Sequence, residues 1–459
     1  MKLEREPDRK EGDRALPLAG LPVGKTQRHA QRSGSVLIIV LWIAFGLVSI
    51  TLYFAQSMTF ELRASDNRLA AAEADAAIDG AARYVNYLLT NQGTNGTLPD
   101  VTTYQREAVP VGQANFWLLG RSDRPGLAGE PFFGLIDEAS KMNLNTATTA
   151  MLEALPRMTP ALAAAIVDWR DSNSDLTVSG AEMETYARLR PPYSCKNAPF
   201  ETTDELRLVF GMDLDLLYGE DSNLNGALDL NENDGIVSLP NDDRDGRLKP
   251  GLIEYLTVYS REPNTRTNVN NARQLAPLLQ QKFSVDRANA ILRQIALGGP
   301  MRSLVEFFVR SRMTSAEFAQ IESDLTVTNS AYVEGLINVN TASAEVLAGI
   351  PGIGTDKAAS VISYRQSNPD KLTSVAWVVD VLEQAGALQA GPYITARSYQ
   401  CTADIAATGH YGRGYRRARF IFDTSEGTPK ILYRQDLSHL GWALGKQARR
   451  TLLLAKERP

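Results

Sequence analysis

Gly34-Ser35-Val36-Leu37-Ile38-Ile39-Val40-Leu41-Trp42 opens an apolar segment that continues to about residue 55. No charged residue lies between Arg32 and Glu61. Because roughly 20 apolar residues in a helix span about 30 Å, such a segment matches the hydrocarbon core of a bilayer. The sequence therefore predicts one transmembrane helix at about residues 35–55.

The residues before this segment predict its orientation. Residues 1–34 are polar and carry an excess of basic side chains, which are Lys2, Arg5, Arg9, Lys10, Arg14, Lys25, Arg28 and Arg32. Because Lys and Arg are retained on the cytoplasmic side, the N-terminus is expected in the cytoplasm. We expect a single-pass protein of the inner membrane with the bulk of its chain in the periplasm.

Two interpretations of the apolar segment compete. One is an ordinary signal peptide or signal anchor, but a removable signal peptide has a shorter apolar core and a small-x-small cleavage site. The other is a prepilin leader at residues 1–34, which a prepilin peptidase removes by cutting between Gly34 and Ser35. Residues 60–89 favour the second interpretation, because they are rich in helix formers and extend the predicted helix to residues 35–90.

The composition limits the classes of function. The chain has 459 residues, a formal net charge of −5 and three histidines. It lacks the overall basic field that attracts nucleic acid, and its histidines are not clustered with cysteines as in a zinc site. The two cysteines, Cys195 and Cys401, leave two alternatives open, which are one disulfide in an oxidising compartment or two unrelated thiols. No nucleophile–base constellation is visible, so we do not expect an enzyme.

An internal repeat occupies the middle of the chain. Asn143-Leu144-Asn145-Thr146-Ala147 recurs as Asn338-Val339-Asn340-Thr341-Ala342, and more loosely as Asn268-Val269-Asn270-Asn271-Ala272. Asn and Thr are expected to cap a helix N-terminus, and a short helix, a turn and a second helix follow. Each copy is interpreted as a helix-hairpin-helix module, with the modules at residues 140–262, 263–330 and 331–390.

Helix-hairpin-helix modules often bind DNA, because their turn presents backbone N–H groups to a phosphate. Only the third copy keeps the glycine turn, with Gly352, Gly354 and then Lys357. Close approach of a phosphate needs the bare backbone of glycine. Since two copies lack the turn, the sequence favours modules that pack on each other and on a partner protein over modules that bind nucleic acid.

A polar stretch between the first two copies predicts a calcium site. Six residues meet the ligand positions of a 12-residue EF-hand loop, and they are Asp221, Asn223, Asn225, Ala227, Asp229 and Glu232. Ala227 would contribute its backbone carbonyl, and Gly226 stands where the loop turns sharply. The alternative is a solvated turn rich in Asn and Asp.

A second loop starts in the same way. Asn241, Asp243 and Asp245 stand at alternate positions, but Lys249 and Leu252 follow where ligands belong. This loop is the weaker candidate for a second calcium ion, because other carboxylates would have to complete it.

Runs of β-prone residues flank the helical repeats, and those after the third repeat alternate between apolar and polar residues. They predict strands at residues 114–119, 132–136, 396–403, 417–422 and 430–434. We expect residues 91–139 and 391–459 to form one small antiparallel sheet. The predicted fold class is α+β, a pilin-like domain with a large all-helical insertion of helix-hairpin-helix repeats.

Together these residues resemble the K-type minor pseudopilins of the type II secretion system, the general secretion pathway protein K family. The resemblance includes the apolar start at Ser35 and Ile39 at the fifth mature position, where most pilins carry Glu. It also includes motifs further along the chain, among them Asp137-Glu138, Asp168-Trp169-Arg170-Asp171, Gly180-Ala181-Glu182, Pro191-Pro192-Tyr193 and Ile337-Asn338-Val339-Asn340-Thr341-Ala342.

The resemblance implies bound calcium and a place at the tip of the pseudopilus with minor pseudopilins I, J and H, with secreted proteins as further contacts. In other pilins, the Glu is expected to pair with the N-terminal amine of a neighbouring subunit, because an unpaired charge in the bilayer is costly. A subunit with Ile39 has no such carboxylate for a subunit above it. We therefore expect a top-most subunit that initiates assembly.

The competing class is a membrane-anchored DNA receptor of the competence type, which also joins an apolar anchor to a helix-hairpin-helix. Such a receptor has a short chain, one intact hairpin and a basic head. This chain is long and acidic, and two of its three hairpins are degenerate. A salt-sensitive DNA interaction that is lost in Lys357→Ala would favour the receptor.

Overall fold

The computed structural model describes residues 33–92, 96–121 and 130–456. The chain divides after Ala64 into two compact units. Residues 1–32 of the predicted leader lie outside the described residues.

The helices and strands of the described residues are numbered in chain order. The helices are α1 (Ser33–Thr90), α2 (Thr149–Glu153), α3 (Pro160–Arg170), α4 (Met183–Ala187), α5 (Leu214–Tyr218), α6 (Ala272–Lys282), α7 (Val285–Ile295), α8 (Leu304–Ser311), α9 (Ser315–Ala319), α10 (Ala344–Ala348), α11 (Gly354–Ser367), α12 (Val378–Ala390) and α13 (Gly445–Lys456). The strands are β1 (Val109–Val111), β2 (Ala114–Leu119), β3 (Ile136–Asp137), β4 (Met142–Asn143), β5 (Leu256–Thr257), β6 (Arg261–Pro263), β7 (Thr267–Asn268), β8 (Leu325–Thr326), β9 (Tyr332–Glu334), β10 (Ile337–Asn338), β11 (Ile394–Thr395), β12 (Gln400–Thr408), β13 (Arg416–Asp423) and β14 (Lys430–Asp436).

In the first unit, α1 exposes an apolar surface. Val36, Trp42 and Phe54 are 61%, 76% and 60% exposed. Among the described residues, α1 is the one helix long and apolar enough to cross a membrane. This is compatible with a single-pass anchor in the inner membrane.

In the second unit, the remainder of α1 packs through a stripe of alanines. Ala70, Ala74, Ala77 and Ala81 are fully buried, and their spacing of four, three and four residues places them on one helix face. The small side chains allow close approach of the backbone. A Cβ on Gly409, just after β12, would lie 2.2 Å from the carbonyl oxygen of Ala70, so glycine is required at this crossing.

The sheet that packs on this stripe is antiparallel and has six strands. Its order is β1-β2-β12-β13-β14, and β3 also pairs with β12. Three of these strands precede the helical region and three follow it, so the sheet is completed only after the chain returns. The predicted α+β fold class, with a long N-terminal helix, an antiparallel sheet and many inserted helices, is confirmed.

Three short parallel ladders lie in the helical region. β4 pairs with β5, β7 with β8, and β10 with β11. In each ladder the first strand opens one copy of the sequence repeat, and the second strand returns after the helices of that copy. Each copy is therefore a closed module. The sequence pattern did not predict these ladders.

The paired asparagines make equivalent contacts in all three copies. The side-chain carbonyl of the first asparagine accepts the N–H of the second at 2.9, 2.9 and 3.0 Å. The side chain of the second asparagine donates to a backbone carbonyl of the following segment, which belongs to Phe200, Met301 or Leu372. These bonds fasten the start of each module to its second half.

The prediction that these asparagines cap helices is therefore wrong. Thr148 caps α2 and Ser343 caps α10, while Asn271 precedes α6 without a side-chain capping bond. The asparagines of the first and third copies are instead committed to the contacts within their module. Equivalent arginines add to these contacts, since Arg170 donates to the carbonyl of Ala147 and Arg365 to that of Ala342.

Candidate calcium loop, membrane anchor and hairpin turn

The predicted calcium loop, Asp221–Glu232, follows α5 and ends in a short 3-10 helix, Leu230–Glu232. Gly226, at its sixth position, has a φ of +70°, in the left-handed region that favours glycine. A Cβ at Gly226 would also lie 2.9 Å from Cδ of Arg121. The sharp turn expected at the sixth position of an EF-hand loop is therefore present.

The side chains at the third, fifth and ninth loop positions lie together. Asn223 and Asn225 each donate Nδ2 to Oδ2 of Asp229, at 2.8 and 3.0 Å. Their Oδ1 atoms accept the N–H groups of Asn225 and Ala227, at 3.0 and 2.7 Å. In this arrangement the amide NH2 groups, not the amide oxygens, face the carboxylate of Asp229. The three side chains carry the oxygen donors that a hard cation prefers, and to bind one the two amides would turn their oxygens toward it.

The first and last loop positions are buried carboxylates. Asp221 and Glu232 are each 1% exposed. Burial, followed by repulsion from Asp221, raises the pKa of Glu232 to about 7. Burial also raises the pKa of Asp221, although the nearby Arg121 opposes that shift. A bound cation would stabilise both anions, so this donor set fits calcium.

The loop is fastened to the sheet by residues that sequence reasoning missed. Arg417 of β13 donates to the carbonyl of Leu224 at 2.7 Å and also to that of Asn223. Arg121, just after β2, donates to the same Leu224 carbonyl at 3.0 Å. Asn223 donates to the carbonyl of Trp442 at 3.1 Å. No local pattern signals these contacts, because the paired residues are 103 to 219 positions apart.

In the second predicted loop, the ammonium group of Lys249 takes the place of a bound cation. Nζ of Lys249 pairs with Asp243 and, at 2.9 Å, with Asp245. The N–H of Arg247 donates to Oδ1 of Asp245, while no contact places Asn241 with these carboxylates among the described residues. The ammonium group therefore balances the charge that a second calcium ion would have balanced.

The two cysteines are free thiols in the structure. Cys195 belongs to the large hydrophobic core of the helical region, while Cys401 lies on β12 in the core between α1 and the sheet. Of the two alternatives that the sequence left open, the structure therefore shows two unrelated buried thiols. Burial raises the pKa of each, which makes both poorly reactive.

The hairpin turn of the third copy joins α10 to α11. Gly352 has a φ of +85°, and a Cβ there would lie 2.4 Å from the carbonyl oxygen of Gly386 on α12. Gly354 has a φ of +64°, a Cβ there would have no atom within 4 Å, and Lys357 is exposed. Close packing against α12 therefore accounts for glycine at position 352, and no bound phosphate is needed to explain it.

The predicted processing site lies at the start of α1. Gly34 and Ser35 belong to its first turn, and Ile39 follows one turn later with 57% of its side chain exposed. Residues 36–60 of α1 contain no charged side chain.

Comparisons with known proteins match two parts of the chain. The family model described as Type II secretion system (T2SS), protein K, matches residues 137–218, and the model described as Helix-hairpin-helix motif matches residues 333–376. These matches confirm the predicted resemblance to protein K and the hairpin of the third copy. No curated protein matches the chain. A solved structure with some similarity is the GspK-GspI-GspJ complex from the enterotoxigenic Escherichia coli Type 2 Secretion System, at 12% identity and a TM-score of 0.38, covering 79% of this chain and 93% of that chain.

Proposed function

We propose that this chain belongs to the protein K family of the type II secretion system, that it caps the tip of the pseudopilus and that it helps to initiate its assembly. The observation that carries this proposal is the uncharged anchor of α1, in which Ile39 stands where most pilins carry Glu. The proposed role is structural rather than catalytic.

The charge argument concerns the N-terminal amine that cleavage after Gly34 would create. In a stack of pilin subunits, the amine of each subunit in the bilayer pairs with the carboxylate of the subunit that is added beneath it, because an unpaired charge there is costly. Ile39 offers none to a subunit placed above it. The chain therefore terminates the stack at its upper end and is the first subunit to be placed.

The helical insertion supports the same position. It enters after β3 and returns at β12, so all three modules are inserted into the sheet of the pilin-like domain. An insertion of this size would obstruct a subunit above it, which a tip position avoids.

We further propose that Asp221–Glu232 binds one calcium ion with a structural role. The buried carboxylates of Asp221 and Glu232 support this, as does the turn at Gly226. Because Arg417 and Arg121 hold the carbonyl of Leu224, an ion in this loop would rigidify the joint between the helical insertion and the sheet.

Partners and location follow from the same proposal. Minor pseudopilins I, J and H are the proposed neighbours in the pseudopilus, and a prepilin peptidase is the processing enzyme. The chain would be anchored in the inner membrane with its sheet and insertion in the periplasm. Contact with secreted proteins would then take place on the periplasmic head.

The test is N-terminal mass spectrometry of the full chain after expression with and without a prepilin peptidase. The proposal expects a mature chain that begins at Ser35 only when the peptidase is present. A matched Gly34→Leu variant should stay uncut while it still inserts into the membrane. An intact Met1 start with active peptidase, or cleavage near Ala55, would overturn the proposal and favour the anchored receptor.

A further inference from the structure

Three carboxylates outside the calcium loop meet where α3 ends and α4 begins. Asp168 lies in the last turn of α3, Asp171 is its C-terminal cap, and Glu182 is the N-terminal cap of α4. One oxygen from each side chain lies within 4.8 Å of the others. Asp168 is fully buried, Glu182 is 6% exposed and Asp171 is half-buried.

No described side chain forms an ion pair with this cluster, although the charge of Arg170 acts on the adjacent Asp171. None of its three carboxylates forms an ion pair with a described side chain, and the neighbouring Arg170 directs its guanidinium to the carbonyls of Leu144 and Ala147. Oε1 of Glu182 is buried and forms no hydrogen bond that meets the usual geometric limits with a described residue, although the side-chain amide of Asn197 lies close to this carboxylate. A buried carboxylate oxygen without a partner is costly, so this oxygen points to a ligand that supplies positive charge.

The fold holds Asp168 in place for such a ligand. Its Oδ2 accepts the N–H of Ala181 at 2.9 Å, and both its oxygens lie 3.3 Å from the N–H of Thr177. A Cβ on Gly180 would lie 2.0 Å from this Oδ2, so the glycine is what lets the carboxylate reach the loop. These bonds fix one oxygen donor before any ion arrives.

We propose that Asp168, Asp171 and Glu182 bind a divalent cation, with calcium as the ion that fits best. Calcium is bound by oxygen ligands at about 2.3–2.6 Å, so oxygens up to about 4.8 Å apart can share one ion. The site consists of oxygen donors only, which disfavours zinc and copper. It lies in a different loop from Asp221–Glu232 and does not depend on the function proposed above.

The spacing of residues from Asp171 to Glu182 is that of a further EF-hand loop. Asp171, Asn173 and Asp175 stand at the first, third and fifth positions, and Glu182 at the twelfth. Leu176 replaces the glycine of the sixth position, which is why the pattern is easily overlooked. The ion would join the end of α3 to the start of α4, and so order the loop between them.

The experiment counts bound calcium in the full chain, solubilised in detergent, stripped with a chelator and titrated with CaCl2. Glu182→Gln keeps the size of the side chain and should lose one bound ion per chain, or weaken its binding at least tenfold. Asp171→Asn, at a half-buried position, should do the same if Glu182→Gln fails to fold. The matched control is Glu184→Gln, whose exposed carboxylate pairs with Arg188 one turn along α4.

Glu232→Gln separates this site from the other loop. If both sites bind, Glu182→Gln and Glu232→Gln should each remove one ion, and the double variant should remove two. If only Glu232→Gln loses an ion, and Glu182→Gln binds as many ions as Glu184→Gln does, this inference is overturned. The calcium proposal for Asp221–Glu232 then stays intact. Loss in Glu182→Gln alone would support the inference and reject the other site.

Discussion

Asp404 and Arg417 form a bidentate ion pair that is completely buried between strands β12 and β13. Nε and Nη2 of Arg417 donate to Oδ1 and Oδ2 of Asp404 at 2.7 and 2.8 Å, and both side chains are 0% exposed. Burial alone would raise the pKa of Asp404, but Arg417 and Arg419 hold it at about 2. Arg417 also holds two carbonyls of the candidate calcium loop, so one residue connects the sheet and the insertion.

Removal of this arginine should destabilise the second unit strongly. Arg417→Met leaves Asp404 buried without its main partner, and loss of one member of a buried pair costs about 3–5 kcal/mol. The free energy of unfolding, measured with urea in detergent, should fall by that amount. Arg434→Met is the control, because its pair with Asp79 is more than half exposed and such pairs contribute about 0–1 kcal/mol. Equal effects of the two variants would contradict this prediction.

Gly226→Ala should weaken calcium binding as well as stability. The φ of +70° costs an alanine roughly 1–2 kcal/mol, and the new Cβ also presses on Arg121, which holds the loop. Gly246→Ala is matched, because Gly246 has a φ of +74° with no atom within 4 Å of its Cβ position. Calorimetric titration should show weaker calcium binding only in Gly226→Ala. A normal affinity in that variant would argue against an ion in this loop.

The stability of the calcium-free chain should fall as pH rises from about 4.5 to 7. Glu232 has a pKa of about 7 in the folded chain against an ordinary value of 4.5, so the folded state binds the proton more tightly than the unfolded state. Below pH 4.5 the group leaves the free energy of unfolding unchanged, and above pH 7 it lowers that free energy by on the order of 3 kcal/mol.

Thermal melts in a chelator across this pH range would measure the loss. Glu232→Gln should remove the part that is due to this residue. Calcium should reverse the trend, because the ion displaces the proton and therefore binds more tightly at high pH. A wild-type melting profile that coincides with that of Glu232→Gln at every pH would show that Glu232 is not the group responsible.

Ile39→Glu should alter the position of the chain in the pseudopilus. The new carboxylate can pair with the amine of a subunit above, so the variant should be found below the tip as well as at it. Cysteine cross-linking along α1 in assembled pseudopili would detect the additional neighbour. Ile38→Glu places the same charge one position out of register, and is expected only to reduce assembly. If Ile39→Glu assembles and cross-links as the wild type does, the charge argument loses its basis.

Several features of the molecule could be predicted from short stretches of sequence. The predicted helix at residues 35–90 is observed as Ser33–Thr90, and the run at residues 114–119 is observed as the strand Ala114–Leu119. The repeated Asn-x-Asn also predicted the start of each module. These features depend on neighbours within a few residues, because helix and strand periodicity and turn conformation are set locally.

Other features depend on residues that are far apart in the chain. The parallel ladders of the three modules and the free state of Cys195 and Cys401 required the fold to be known. The carbonyls that the second asparagine of each copy contacts lie 31 to 55 positions further along, so no local pattern predicts these contacts.

The sequence by itself determined an apolar anchor, a chain of repeated helical modules and an oxygen-rich loop with EF-hand spacing. Only the tertiary structure decided that this loop is held by Arg417 and Arg121. It also decided that Asp168 and Glu182 meet across the loop between α3 and α4. The physical reason is that spacing specifies which side chains share a turn or a helix face. Burial and the pairing of charges are properties of distant segments brought together by packing.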